Sequence, residues 1–136
     1  MKKNLHVVLI ALALIAIYPA ATWLALYCFQ DDPAAMVWTD REAFNLKFIR
    51  NLNINAAPNQ AEVQQKLGGP DISEAYNSGT DLYQLAFYRT QRDISDGITT
   101  KVECTALLYR NRQLIAVGDA ALQQYQQHQP VRPQPQ

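Results

Sequence analysis

LYQLAFYRTQRDISDGITTKVECTALLYRNRQLIAV, residues 82–117, decides the fold. Two apolar runs, LYQLAFYR and VECTALLYR, flank a polar stretch, and a third run, QLIAV, follows Asn111-Arg112. In the first run Tyr83, Leu85 and Phe87 alternate with the mixed positions Gln84, Ala86 and Tyr88. Such alternation predicts a half-buried strand whose odd face points at covering helices. In the second run Val102, Cys104, Ala106 and Leu108 share one face, and Glu103, Thr105, Leu107 and Tyr109 the other. Asn tolerates a positive φ, so Asn111-Arg112 predicts a tight hairpin turn, although Arg is a poorer second turn residue than Gly. The three runs therefore read as a three-stranded antiparallel sheet.

Upstream, Thr39-Asp40-Arg41-Glu42 fits a capping box that opens a helix, and Phe44, Phe48, Ile49 and Leu52 form one apolar stripe along it. A core role explains that stripe. Asn59 and Glu62 repeat the cap spacing, Val63 and Leu67 supply a short apolar face, and Gly68-Gly69-Pro70 stops the second helix after about two turns. A helix so short is stable only when packed on the sheet. Residues 71–81 read as an irregular lead-in with room for a short strand at 74–76. Downstream, Asp119 caps a helical stretch at 120–124, with Leu122 and Tyr125 available for packing. Seven of the last fourteen residues are Gln and three are Pro, which predicts a disordered tail at 126–136.

The N-terminus carries an uncharged run from residue 5 to 29, which as a helix reaches about 37 Å, enough to cross a hydrocarbon core of about 30 Å. Lys2-Lys3 before it and Asp31-Asp32 after it place the N-terminus in the cytoplasm by the positive-inside rule. The expected location is the inner membrane, single-pass, with the C-terminal domain in the periplasm. Cleavage at Pro19-Ala20-Ala21-Thr22, a poor small-x-small site, and lipidation at Cys28 stay open as alternatives. The expected organisation is an anchor at 1–29, a linker at 30–38, an α+β domain at 39–125 and the tail at 126–136. The expected fold class is α+β: a transmembrane helix, then a small two-layer αα-βββ domain.

With Lys2 and Lys3 set aside, the chain carries ten basic against twelve acidic residues. That balance argues against a nucleic-acid partner. His128 lies in the expected tail, which leaves no imidazole for Cys-His or Ser-His-Asp catalysis within the fold. Cys104 alternates with apolar residues and reads as a buried, inert thiol. No disulfide is expected within the chain, so Cys28 and Cys104 are free or pair with another chain. Asp96, Gly97 and Glu103 have EF-hand spacing, but Arg92 and Ile94 occupy ligating positions, and no metal or other cofactor is expected. The chain reads as a non-enzyme.

One cluster has a functional motive. Tyr88, Arg89 and Arg92, with Tyr109 and Arg110, bring aromatic and guanidinium groups to strand ends, a mixture enriched in protein-binding hot spots and able to hold carboxylate or phosphate. An edge strand nearby offers a second mode, addition of a partner's strand. The expected function is a membrane-anchored protein-interaction module of the cell envelope. A receptor for a small anionic ligand or lipid head group is the alternative.

DREAFN, LGGPDISEAY, FYRTQRDISDGITTKVECT and LLYRNRQLIAVG together resemble an uncharacterised family of short Gram-negative envelope proteins known as a domain of unknown function. More distantly, two short helices with an LG-P break before a three-stranded meander are similar to the small lipoprotein fold of the outer-membrane-protein assembly machinery. These resemblances imply an αα-βββ periplasmic domain without a known activity. Those lipoproteins carry a lipidated Cys, and Tyr27-Cys28 departs from that pattern.

Overall fold

A computed structural model describes residues 2–28, 32–33 and 35–129. The chain divides into two compact units between residues 31 and 32. The first holds one helix, α1 (Lys2–Cys28). Its segment His6–Cys28, 23 residues, is long and apolar enough to cross a membrane, a property shared by anchors and signal sequences. Pro19 lies inside α1, and the Thr22 hydroxyl donates to the Tyr18 carbonyl at 2.8 Å.

The second unit runs α2 (Trp38–Arg50), α3 (Gln60–Leu67), β1 (Ile72–Ser78), β2 (Asp81–Arg89), β3 (Cys104–Arg110), β4 (Gln113–Val117) and α4 (Asp119–His128). The strands form one antiparallel meander in the order β1-β2-β3-β4. The sheet thus has four strands, not the three expected. The lead-in at 71–81 supplies the fourth, because Gly79-Thr80 closes a two-residue hairpin with Gly79 at φ 62°, where glycine adopts a positive φ without a Cβ clash. The third hairpin turns as the sequence requires: Arg110 pairs with Gln113, and Asn111 and Arg112 both have positive φ, 51° and 70°.

Layering differs from expectation as well. The face carrying Ala86, Tyr88, Leu107, Tyr109 and Leu114 packs on Ile49, Val63 and Leu67, with Phe44, Phe48 and Leu52 closing its margin. This is the even face of β2, so the odd residues do not point at α2 and α3. Tyr83, Leu85, Phe87, Ala106, Leu108 and Ala116 instead meet Ala121 and Tyr125 of α4. The domain has three layers rather than two, with helices on both sides of the sheet. Leu85-Ala86-Phe87-Tyr88 and Ala106-Leu107-Leu108-Tyr109 are each buried without interruption, the pattern of strands covered on both faces. Val102 does not join that pattern: it sits in a short 3-10 turn (Lys101–Glu103) before β3 and is exposed.

The helix ends are partly as read. Asn59 and Glu62 form the capping box of α3, and Gly68 ends that helix at φ 78°. In contrast α2 begins two residues early, at Trp38, with Val37 rather than Thr39 at the N-cap and no side-chain cap, so Thr39 and Glu42 do not form a box. Glu42 is committed elsewhere. Gly118, not Asp119, precedes α4, and the helix runs to His128, three residues past the expected end of the domain. His128 stacks on Tyr83 with ring centroids 5.0 Å apart. Residues 130–136, the rest of the expected tail, lie outside the described residues.

Candidate functional site

The expected Tyr/Arg cluster resolves into separate parts. Tyr88 and Tyr109 are fully buried under α2 and α3. The Tyr88 hydroxyl donates to the Gly68 carbonyl at 3.3 Å, and burial pushes its pKa up to about 12. The Tyr109 hydroxyl is buried with no hydrogen-bond partner among the described residues, and burial again raises its pKa. Neither ring is available as a surface anchor. Arg110 is exposed, but it pairs with Tyr83 at the start of β2, whereas Arg89 pairs with Cys104 at its end. Six strand positions put them about 20 Å apart.

Arg89 and Arg92 do come together, at the end of the domain where β2 runs into the loop of residues 90–103. Arg89 Nε stands 2.7 Å from Glu42 Oε1, a charge contact rather than an aligned hydrogen bond, and the guanidinium donates to Glu103 Oε1 at 3.3 Å. Asp71 fixes the backbone here by accepting from the Arg89 N–H at 2.9 Å, while Asn45, fully buried in α2, donates to the Arg89 carbonyl at 3.0 Å. A largely desolvated guanidinium between two carboxylates is compensated. Arg92 is placed differently: its guanidinium lies over the Trp38 ring, 3.4 Å from the centroid. A cation so placed is attracted by the ring quadrupole. Trp38, Arg89, Arg92, Ser95 and Gly97 line an open cleft of about 400 Å³.

Glu103 organises the loop. It is 1% exposed and accepts from the backbone N–H of Asp93 at 3.0 Å and of Thr100 at 3.1 Å. Those bonds from Asp93 and Thr100, aided by the Arg89 charge and opposed by burial, hold its carboxyl below the usual range. This is a structural use of the carboxylate. Among the described residues no group of three or more His, Cys, Asp or Glu side chains is placed to hold a metal ion. Cys104 is half-buried and free, and burial pushes its thiol up to about 11, which makes it a poor nucleophile at neutral pH. Cys28 is free and exposed.

The sheet edges are unequal. The outer edge of β4 is engaged by the segment entering α3: Leu114 donates to the Pro58 carbonyl, and Gln60 to that of Arg112. Among the described residues β1 has no such cover. Its two-residue hairpin puts the Ser78–Asp81 pair, and every second pair beyond it, in hydrogen-bonded register. The backbone groups of Ser73, Ala75 and Asn77 therefore point away from β2, and all three residues are exposed. Beside them runs a groove of about 440 Å³, walled by Gln60 and Gln64 of α3 and floored by Ala75, Gln84 and Ala86. The sequence carried no sign of this edge beyond the short strand at 74–76.

A four-stranded meander covered on both faces, preceded by a helix of membrane-spanning length, defines a small α+β domain with one edge open among the described residues. The chain belongs to the family described as Protein of unknown function (DUF3192), whose model matches residues 23–124. No curated protein and no solved structure matches the chain.

Proposed function

We propose that the protein is a non-enzymatic, membrane-anchored interaction module whose domain works on the periplasmic face of the inner membrane. Its partner is a protein that contributes an extended segment to the β1 edge. The observation that carries this reading is the contrast between the two edges: β4 is engaged by the 58–60 segment, while β1 presents three outward backbone positions beside a groove. Natural sheets blunt free edges with Lys, Pro or bulges. β1 has no Lys, Pro or bulge in ISEAYNS; its one charge, Glu74, is paired with Lys101 on the other face, and its open-face side chains, Ser73, Ala75 and Asn77, carry no charge. Main-chain pairing along such an edge supplies affinity, and alternate side chains entering the groove supply selectivity.

Lys2 and Lys3 ahead of the apolar segment His6–Cys28, with Asp31 and Asp32 after it, support the orientation. The alternative of a small anionic ligand has less support. Arg89 is already matched by Glu42 and Glu103, which leaves Arg92 as the cation of the cleft without a carboxylate partner among the described residues.

Photocrosslinking in intact cells tests the reading. A crosslinker at Ser73 or Ala75 is expected to give a discrete protein adduct, while the same group at Gln123 on α4 gives none. Equal, background-level adducts at all three positions would refute it.

A further inference from the structure

The loop between β2 and β3 is held in place, yet its apolar side chains do not face inward. Glu103 clamps the amides of Asp93 and Thr100, Gln91 donates to the Val102 carbonyl at 2.8 Å, and Asp96 accepts from the Ile98 N–H at 2.9 Å. Nevertheless Ile94 is 62% exposed, Ile98 63% and Val102 68%. The three surround one cleft of about 200 Å³ and so form a patch rather than scattered residues. Trp38 and Val37 add exposed apolar area at the same end, since Trp38 shares its cleft with Gly97 of the loop and stacks on Arg92. Of the described large hydrophobics exposed in this domain, only Ile54 lies elsewhere.

Chain connectivity says what covers the patch. Trp38 is the first residue of α2, and the nine residues between it and Cys28 reach about 35 Å at full extension. A tether of that length is short enough for the patch to reach a membrane spanned by α1. Its composition suits a bilayer surface: a Trp at the entry point, β-branched apolar side chains, and the long cationic side chain of Arg92, which stacks on Trp38, whereas Lys101 is taken up by an ion pair with Glu74. Asp93 and Asp96 keep the net charge small, so the contact is mainly apolar.

We propose that Ile94, Ile98, Val102 and Trp38 form a lipid-contacting surface that seats the domain on the interfacial layer of the membrane entered by α1. This rests on the anchor reading above and adds to it a fixed orientation of the domain. It leaves β1 free for a partner.

The test uses the full chain, reconstituted in phosphatidylcholine vesicles with a brominated acyl chain. An environment-sensitive fluorophore is attached at Ile98→Cys, and separately at Gln123→Cys, both in a Cys28→Ser, Cys104→Ser background. Quenching by the brominated lipid is expected at position 98, at least threefold above that at 123. Equal quenching at both positions, in a chain that floats with the vesicles, overturns this inference and leaves the anchor standing. A label at 98 that is shielded from water but unquenched would mean that a second copy of the chain covers the patch, which also overturns it. A chain that fails to float refutes the anchor and this inference together.

Discussion

Glu103 Oε1 accepts the backbone N–H of Asp93 at 3.0 Å, so one buried carboxylate closes a loop that leaves the sheet at Arg89 and returns at Cys104. Its folded pKa lies below the ordinary value, because the ionised form accepts the Asp93 and Thr100 amides and faces Arg89. A depressed folded pKa means stabilisation that is present at neutral pH, above the unfolded value of about 4.3. That stabilisation is lost as pH falls through the lower folded pKa. The protection factors of amides 93–100, exchange rates taken relative to the unstructured chain at the same pH, are expected to be high at pH 7 and to fall below about pH 4, measured by mass spectrometry on the intact chain. Glu103→Gln should lower the same protection factors at pH 7 and remove their pH dependence. A loop whose exchange ignores both changes would show that Glu103 does not hold it.

The two buried tyrosines should respond oppositely to loss of the hydroxyl. Tyr88→Phe discards a bond to the Gly68 carbonyl and is expected to cost about 1 kcal/mol. Tyr109→Phe removes a buried hydroxyl with no partner among the described residues, and is expected to be neutral or stabilising by up to about 1 kcal/mol. Urea unfolding of the detergent-solubilised chain measures both.

Arg112 occupies the second position of a turn in which both residues have positive φ. Arg112→Gly should therefore stabilise the domain by about 0.5–1 kcal/mol, since glycine adopts this conformation without a Cβ clash. Asn111→Ala should destabilise it, because the Asn111 side chain accepts from the Leu82 N–H and donates to Asp81, joining two hairpins. Thermal melts of the two variants against the parent chain decide the signs.

In a Cys28→Ser background, alkylation of Cys104 at pH 8 is expected to run on the order of 100-fold slower than in urea, where the thiol regains its ordinary pKa. The raised folded pKa leaves little thiolate at that pH. Rates equal in the two conditions would contradict the burial of this thiol.

Local signals in the sequence carried over well. The Asn59–Glu62 box, the Phe44–Phe48–Ile49 stripe and the Asn111-Arg112 turn depend on neighbours three or four residues apart, and each stands as read. The assignment of sheet faces failed because both β2 and β3 are apolar on both faces. With Ala86 and Tyr88 as well suited to burial as Leu85 and Phe87, a period of two cannot say which face meets α2. β1 escaped because ISEAYNS lies at an edge and has only Ile72 and Tyr76 as large apolar residues. Tyr88 and Tyr109 read as binding candidates because an amphipathic ring suits either environment. The Arg89 contacts were invisible for another reason: Glu42 and Arg89 are 47 residues apart, and only the packing of α2 on β2 brings them together.

The most direct measurement on the β1 edge is Ala75→Pro. The Ala75 N–H points away from β2, so proline removes a donor offered to a partner while sparing the β1–β2 ladder, as edge strands tolerate. The protein adduct captured from a crosslinker at Ser73 should fall at least tenfold in cells, with the melting temperature of the purified variant within a few degrees of the parent. An undiminished adduct in the folded Ala75→Pro protein would contradict strand addition at β1.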